Sequence, residues 1–429
     1  MSTDLMSARI VVVGTGQAGY QTAASLRDHG HTGPLTLIGE EGVLPYERPP
    51  LSKAFVKGDG DTAPLLLRPR TFYERRSVAR IDGTVTAVDR AARAVQVDDG
   101  SVHPYDHLVL ATGSRARSLP VPGAGLTGVR TLRTLADAES LRTALRTAAH
   151  VVVAGAGFIG LEFAASAAEL GHRVTVVEVR DRPLARAVSE PTAAHFTRLH
   201  RAHGNRLLLG RAPTRFHGDG TGSAEAGGGG RVTAVELADG RRIPADLVLV
   251  GAGAAPRTEL AEAAGLAVSG GIVTDSLLLT SDPHISAVGD CAAFPQAGSG
   301  ALHRVESVQN AVDHARTVAA RLTGAPRVHD ALPWFWSNQF SASLRIAGIG
   351  SGHDTEVVLP GDAAGAFSVL LFRGDALLAV ESVDRTPDHL AARRILASGV
   401  PLTPHEASAA GFTLKEHLRR ASTAGNARR

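Results

Sequence analysis

RIVVVGTGQAGYQTAASLRDHG, residues 9–30, decides the fold. RIVVV (9–13) is a β-branched run of strand length, and glycines 14, 16 and 19 follow it at once, opening a helix-like segment. LTLIG (35–39) then forms a second strand that ends at Glu40. The order carries a physical logic. Glycines permit the tight turn and a close backbone approach to a pyrophosphate, which sits on the helix N-terminus, and the acid some residues on accepts bonds from ribose hydroxyls.

The same grammar returns in VVVAGAGFIGLEFAASAAELGHRVTVVE, residues 151–178, with a strand at 151–154, glycines at 155, 157 and 160, and a terminal Glu178. The echo continues downstream. VQVDDGSVHPYDHLVLATG, ending at Gly113, answers VELADGRRIPADLVLVGAG, ending at Gly253. The Asp-Gly hairpin signals at Gly100 and Gly240 and the aspartates 106 and 246 stand at matching separations. Two copies of one dinucleotide-binding fold are the economical explanation.

A chain of 429 residues exceeds what one hydrophobic core usually organises, so a modular protein is expected. Apolar residues at 44% and charged residues at 20% are ordinary for a globular chain and exclude disordered or collagen-like classes. MSTDLMSAR has no apolar run before Arg9, and apolar stretches elsewhere are strand-sized and interrupted. No signal peptide or membrane span is therefore expected, and a cytoplasmic location follows. Forty-five basic against 42 acidic residues leave +3, almost all of the cations are scattered arginines, and no basic run carries interleaved aromatics, which argues against nucleic-acid binding. Cys291 is the lone cysteine, so this chain contains no internal redox pair.

VPGAGLTG (121–128) punctuates the join between the two copies, and HGDGTGSAEAGGGGR (217–231) is expected as a flexible loop insertion. ISAVGD places Asp290 just after a strand. From about residue 326 the pattern changes to short alternating pieces (SLRIAGIG, AFSVLLFRG, ALLAVESV) and then a helix, as in a mixed third domain. PPLSKAFVKG (49–58) is expected to start a helix at its prolines, with Lys53 in the first turn. A cation there opposes the helix dipole at a cost of about 0.3 to 1 kcal/mol, so its placement calls for another explanation. Glu162, two residues past Gly160, is favourable near a helix N-terminus on dipole grounds alone.

GTGQAG, YERPPLSK, LATGSRARSLPVPGA, TLRTL, GAGFIGLE, SDPHISAVGDCA, VESVQNA and PWFWSNQ together resemble, in order and spacing, the two-nucleotide flavoprotein reductases. Within them the chain is similar to the NADH-dependent ferredoxin and rubredoxin reductases of putidaredoxin-reductase type that feed oxygenase systems. The resemblance covers nearly the whole chain. It implies an α/β fold with two Rossmann-like domains and a C-terminal α+β domain: an FAD-binding domain at 1–115 and 248–326, an NAD-binding domain at 116–247, and a C-terminal domain at 327–429. By motif match it assigns Gly14, Gly16, Ala18, Gly19, Glu40, Arg48, Lys53, Val85, Ala111, Thr112, Gly113, Arg133, Gly289, Asp290, Val308 and Trp336 to FAD. Gly155, Gly157, Phe158, Ile159, Gly160, Glu162, Glu178 and Gly253 match the nicotinamide nucleotide site.

The same resemblance makes Lys53, Glu162 and Trp336 the catalytic candidates, with Lys53 beside the flavin ring, Glu162 paired with it, and Trp336 closing the flavin pocket. Trp334 and Phe335 are expected to pack the third domain. Relatives often carry Asp where Asn338 stands, so no acid role is assigned there. Glu178 favours NADH over NADPH, because a carboxylate accepts from ribose hydroxyls and repels a 2′-phosphate. Arg180 and Arg182 soften that preference. The implied acceptor is a two-iron two-sulfur ferredoxin, or rubredoxin, with an oxygenase downstream, and a monomer or weak dimer is expected. Arg68 and Arg316 are docking candidates for an acidic partner.

Rival readings are an NADH oxidase or peroxidase, which uses a redox cysteine at the corresponding site, and a redox-sensing flavoprotein of the apoptosis-inducing type. Cys291 is expected to be a buried structural thiol. His195, His200 and His203 lie near one another without a ligand pattern and are expected on a surface helix, and no metal site is expected.

Overall fold

The computed structural model describes residues 6–220, 230–296 and 300–426. Of the glycine-rich stretch expected as an insertion, 221–229 lie outside the described residues. The chain packs as two compact units. The first comprises Met1–Arg48, Thr62–Arg115 and Ala254–Ala331; the second comprises Pro49–Asp61, Ala116–Gly253 and Leu332–Arg429.

The first unit is built on a parallel five-stranded sheet in the spatial order Ile285–Ala287, His107–Leu110, Ile10–Val13, Leu35–Gly39, Val78–Asp82. Ile10–Val13 is central and buried on both faces, which is why it reads as an unbroken apolar run rather than an alternating one. Ile10 and Val12 pack with the helices Gln17–Asp28 and Val308–Leu322 through Leu26, Val318 and Ala319. Val11 and Val13 face the other way, toward Val95 and Val97 of a small antiparallel sheet formed by Val85–Asp89, Ala94–Val97 and Val102–Pro104.

The second unit repeats this plan. Its parallel sheet runs Val129–Arg130, Leu247–Val250, His150–Ala154, Arg173–Glu178, Arg206–Leu209. A three-stranded antiparallel sheet, Pro213–Gly218, Val232–Leu237 and Arg242–Pro244, covers Val152, Val248 and Val250 on one face. Val13 is flanked by Leu110 and Ile38, and Ala154 by Val250 and Val177, so both glycine loops leave the carboxyl end of a central strand at the same place. Ligands of open α/β sheets bind at that end.

The repeated aspartates have a structural explanation. Asp106 accepts the backbone N–H of Arg9 at 2.7 Å while its own N–H donates to the Arg9 carbonyl at 2.8 Å. Asp246 does the same at the head of the second unit's central strand, accepting the N–H of His150 at 2.8 Å and donating to its carbonyl at 2.9 Å. Each aspartate thus clamps the start of the strand that delivers its glycine loop.

The third element of the fold is an antiparallel sheet in the order Trp334–Gln339, Ala342–Gly348, Ala376–Val383, Phe367–Arg373, Thr355–Pro360. Helix Thr386–Ser398 packs Ala392 and Ile395 against Ala347, Leu370 and Val380 on one face of it. Parallel Rossmann-like cores with a C-terminal antiparallel-sheet domain match the fold class expected from the motifs. Among the described residues no helix is long and apolar enough to cross a membrane.

Replacing Asp106 by Ala removes the clamp and should lower stability by about 1 kcal/mol in urea unfolding at pH 7. The hydrogen bond from Arg9 holds the Asp106 carboxyl below the ordinary 3.8. Because the folded value is depressed, the contribution is complete above that pH and is lost as pH falls through the folded value, so wild type and variant should converge in acid.

Candidate functional site

In each unit the three glycines of the loop do three different jobs. Gly14 and Gly155 take φ of +114° and +120°, a backbone that L side chains avoid, and a Cβ on either would run into the carbonyl of Ala111 or Gly251. Gly19 and Gly160 lie so close to the carbonyls of Gly14 and Gly155 that a side chain would push helix from strand. Gly16 and Gly157 have ordinary φ values and nothing within 4 Å of a built Cβ. These two cap the helices Gln17–Asp28 and Phe158–Glu169, and no side chain fills the capping role in either. Open space over uncapped N–H groups is a cradle for a pyrophosphate, and both loops fit a dinucleotide.

Around the first cradle, Gly289 turns at φ +75° with its would-be Cβ 2.9 Å from that of Ala18, bringing Asp290 to the helix Gln17–Asp28. Asp290 accepts from Ser114 Oγ at 3.0 Å, and Thr112 donates to the Arg257 carbonyl at 2.7 Å, shaping the turn at Ala111, Thr112 and Gly113. Arg48 donates to Glu41 at 2.5 Å. Burial opposes its charge, but Tyr46, Glu41 and Asp290 together hold the guanidinium above its ordinary value. Val308 opens its helix, while Val85 is buried among core residues under the sheet. Glu40 is paired with Arg257, a partner that no pattern in the sequence announces. Arg133, Lys53 and Trp336, although assigned to FAD by motif, belong to the second unit.

Around the second cradle, both oxygens of Glu178 are engaged: the N–H of Ala156 donates at 2.7 Å and that of Arg180 at 2.9 Å. Arg182 donates to the carbonyls of Val188, Ser189 and Ala185, which commits it to shaping the following loop. Thr134 and Asp137 form the capping box of helix Leu135–Leu145, and the N–H of Arg133, just before it, donates to the same Asp137 at 2.9 Å. Gly253, at φ +96°, accepts from the N–H of Arg117. Ile159 is 45% exposed, and Phe158 packs on Phe335 with ring centroids 4.5 Å apart.

Lys53 and Glu162 meet. Lys53 Nζ donates to Glu162 Oε2 at 2.6 Å, Ser52 Oγ donates to the same oxygen at 2.6 Å, and Ser337 Oγ donates to Oε1 at 2.8 Å. The carboxylate is 4% exposed, so helix-dipole stabilisation alone does not account for it: a buried charge requires partners. Pro49–Ser52 form a 3₁₀ turn and Lys53 caps the short helix Ala54–Lys57, rather than lying within a helix begun at the prolines. Ser166 Oγ fastens the turn by donating to the Ser52 carbonyl at 2.8 Å.

Trp334, Phe335 and Trp336 are all partly buried. Arg393 stacks over Trp334 at 4.6 Å, with the Trp336 ring 5.4 Å away. Phe335, Ser337 and Gln339 share the opposite strand face, and on that face sequence reading missed Ser337 and Gln339. The signal was the period of two, which sets these polar residues beside Phe335. His200 also departs from expectation: it is wholly buried, whereas His203 is exposed and stacks on Phe340. Cys291 is fully buried, donating to the carbonyls of Val288 and Leu110, and burial raises its thiol above the ordinary range. Among the described residues no group of three or more His, Cys, Asp or Glu side chains is arranged to hold a metal ion.

Residues 8–315 match the pyridine nucleotide-disulphide oxidoreductase family, and residues 334–418 match the reductase C-terminal family. The chain belongs to the pyridine nucleotide-disulphide oxidoreductases. It is 47% identical to rhodocoxin reductase of Rhodococcus erythropolis over 95% of this chain and 93% of that protein. Among solved structures, a ferredoxin reductase from Rhodopseudomonas palustris is similar at TM-score 0.91 and 44% identity, covering 95% of this chain and 99% of that one. The reductase in a covalent putidaredoxin reductase–putidaredoxin complex is similar at TM-score 0.90 and 39% identity, covering 97% and 99%. The protein is therefore an oxidoreductase that works with FAD and a pyridine nucleotide.

The cradle geometry makes a differential prediction. Gly157→Ala should leave thermal stability unchanged yet weaken NADH binding at least tenfold, about 1.4 kcal/mol. Gly160→Ala should destabilise the fold, read as a lower melting temperature, because its methyl meets backbone.

Proposed function

We propose that this chain is an NADH-dependent reductase of a two-iron two-sulfur ferredoxin serving an oxygenase; FAD, when bound, would supply the capacity to accept a hydride and to pass electrons on singly. The observation that carries the reading is the Lys53–Glu162 pair, whose carboxylate stands on the very helix that the second glycine cradle opens. In this reading residues 1–115 and 248–326 hold FAD, 116–247 hold the nicotinamide nucleotide, and 327–429 serve the acceptor. Relatives named as reductases of rhodocoxin and of putidaredoxin support the acceptor class. A cytoplasmic location belongs to the same reading and rests on the interrupted, strand-sized apolar stretches.

Gly14, Gly16, Gly19, Arg48 and Asp290 are the residues offered to FAD, and Gly155, Gly157, Gly160 and Glu178 those offered to NADH. Lys53, held on Glu162, presents a fixed positive charge to the reducible ring and favours the arrival of negative charge there. Ser52 and Ser337 keep the carboxylate in place, so the ammonium is oriented before substrate binds. Preference for NADH is supported by Glu178, which carries negative charge where a 2′-phosphate would sit, and by the commitment of Arg182 to loop carbonyls. Trp336 contributes a wide amphipathic ring, suited to excluding water while meeting a partner. Arg68 and Arg316, the latter 60% exposed in its side chain, are the proposed contacts for an acidic acceptor.

Anaerobic titration with NADH and NADPH, followed by a panel of ferredoxins, rubredoxin, oxygen and peroxide, tests the reading. Bleaching by NADH at the lower concentration and rapid ferredoxin turnover are expected; rapid turnover with peroxide alone would overturn it. Glu162→Ala should retain FAD and slow flavin bleaching by NADH in stopped flow. Trp336→Ala should impair ferredoxin reduction more than reduction of ferricyanide, and equal losses would return this ring to packing.

A further inference from the structure

The inner face of the edge strand Trp334–Gln339 begins a buried polar series that runs beyond the Lys53–Glu162 pair and Ser337 to three residues the reaction described above does not use, Gln339, His200 and Asn205. Asn205 Nδ2 lies 2.9 Å from His200 Nδ1, and His200 Nε2 lies 2.9 Å from Gln339 Oε1. Gln339 Nε2 donates to Ser337 Oγ at 3.3 Å, and Ser337 Oγ donates to Glu162 Oε1 at 2.8 Å. All five residues are at least 95% buried. The directions follow from chemistry. Asn205 Nδ2, which also donates to the Ala164 carbonyl at 3.4 Å, is a donor only, so His200 Nδ1 accepts and the ring proton sits on Nε2. Gln339 therefore accepts with its oxygen and donates with its nitrogen. Every donor in the series points toward Glu162.

Aligned hydrogen bonds polarise one another, and the series ends on an anion. It is not a proton wire, because the Gln339 amide could pass a proton only by becoming an imidic acid. Its effect is electrostatic and geometric. Burial holds His200 down to about 4, opposed by Gln339 and assisted by His203, so the ring stays neutral and the direction of the series is constant at ordinary pH. Lys53 at Glu162 and His203 beside His200 are the titratable groups that face it.

We propose that Ser337, Gln339 and His200 are positioning residues for hydride transfer, holding the Glu162 carboxylate in the orientation that receives Lys53. The proposal rests on the assignment of the Lys53–Glu162 pair to that step. Gln339→Glu tests it. The new side chain keeps the shape and the acceptor for His200; protonated, it still donates to Ser337, and ionised, it cannot. Flavin reduction by NADH would be measured in stopped flow across pH, alongside the side-chain nitrogen resonance of Lys53 in oxidised enzyme labelled at lysine. Lys53, Lys57 and Lys415 are the only lysines, so assignment is direct.

The expected result is a rate close to wild type in acid that falls by about tenfold as the new carboxylate ionises, with the Lys53 resonance moving over the same range. A rate that keeps the wild-type pH profile, or one lowered uniformly with the Lys53 resonance unmoved, overturns the proposal. Should Gln339→Glu fail to fold, Ser337→Ala is expected to shift the Lys53 resonance and lower the rate about tenfold, and an unchanged resonance overturns the proposal. Glu162→Gln separates the two claims: an unchanged reduction rate there defeats the assignment of the pair itself, whereas a slowed rate with inert relay variants defeats only the relay.

Discussion

A carboxylate buried from water must be surrounded by donors, and Glu162 imposes that requirement on the second unit. Its donors come from chain segments far apart in sequence: Ser52 and Lys53 before it, Ser337 long after it. The 3₁₀ turn Pro49–Ser52, the helix Phe158–Glu169 that the second glycine loop opens and the edge strand Trp334–Gln339 are thereby tied at one point. Breaking one such contact leaves an uncompensated charge, which costs more than a surface bond is worth. The edge strand would otherwise be the least anchored part of its sheet.

A second buried carboxylate fastens the C-terminal sheet to the rest of the second unit elsewhere. Glu381, wholly buried in the C-terminal sheet, accepts the N–H of Ser189 at 2.8 Å and its hydroxyl at 2.6 Å, at the end of the loop that follows Glu178. Burial raises its pKa, in keeping with a site poor in cations. Glu162 differs in having an ammonium partner. One acid acts as a fastener alone, while the other also carries an ionic pair on the helix that the second glycine loop opens.

Much of this was legible from residues. The glycine triplets, the strand before each and the acid after each are local requirements of a turn, a close approach and a hydrogen bond, so they appear as fixed spacing. The duplicated Asp106 and Asp246 were legible as an echo, although their clamping of Arg9 and His150 was not. His200 was misread as a surface residue because its helix, Glu190–Ala202, is amphipathic and ends in exposed His203. Ser337 and Gln339 were overshadowed by the aromatic residues before them, since alternation alone does not say which face of a strand is buried.

The sequence by itself determined the two repeated strand–glycine loop–helix units, the place of each loop and the acid that ends each following strand, because backbone conformation and strand burial depend on residues close in the chain. Only the tertiary structure decided which donors satisfy Glu162, and that His200, Gln339 and Ser337 form one directed series. Those outcomes depend on burial and on the meeting of segments separated by more than a hundred residues, and a side chain's hydrogen-bonding need does not name its partner until the fold brings one within reach.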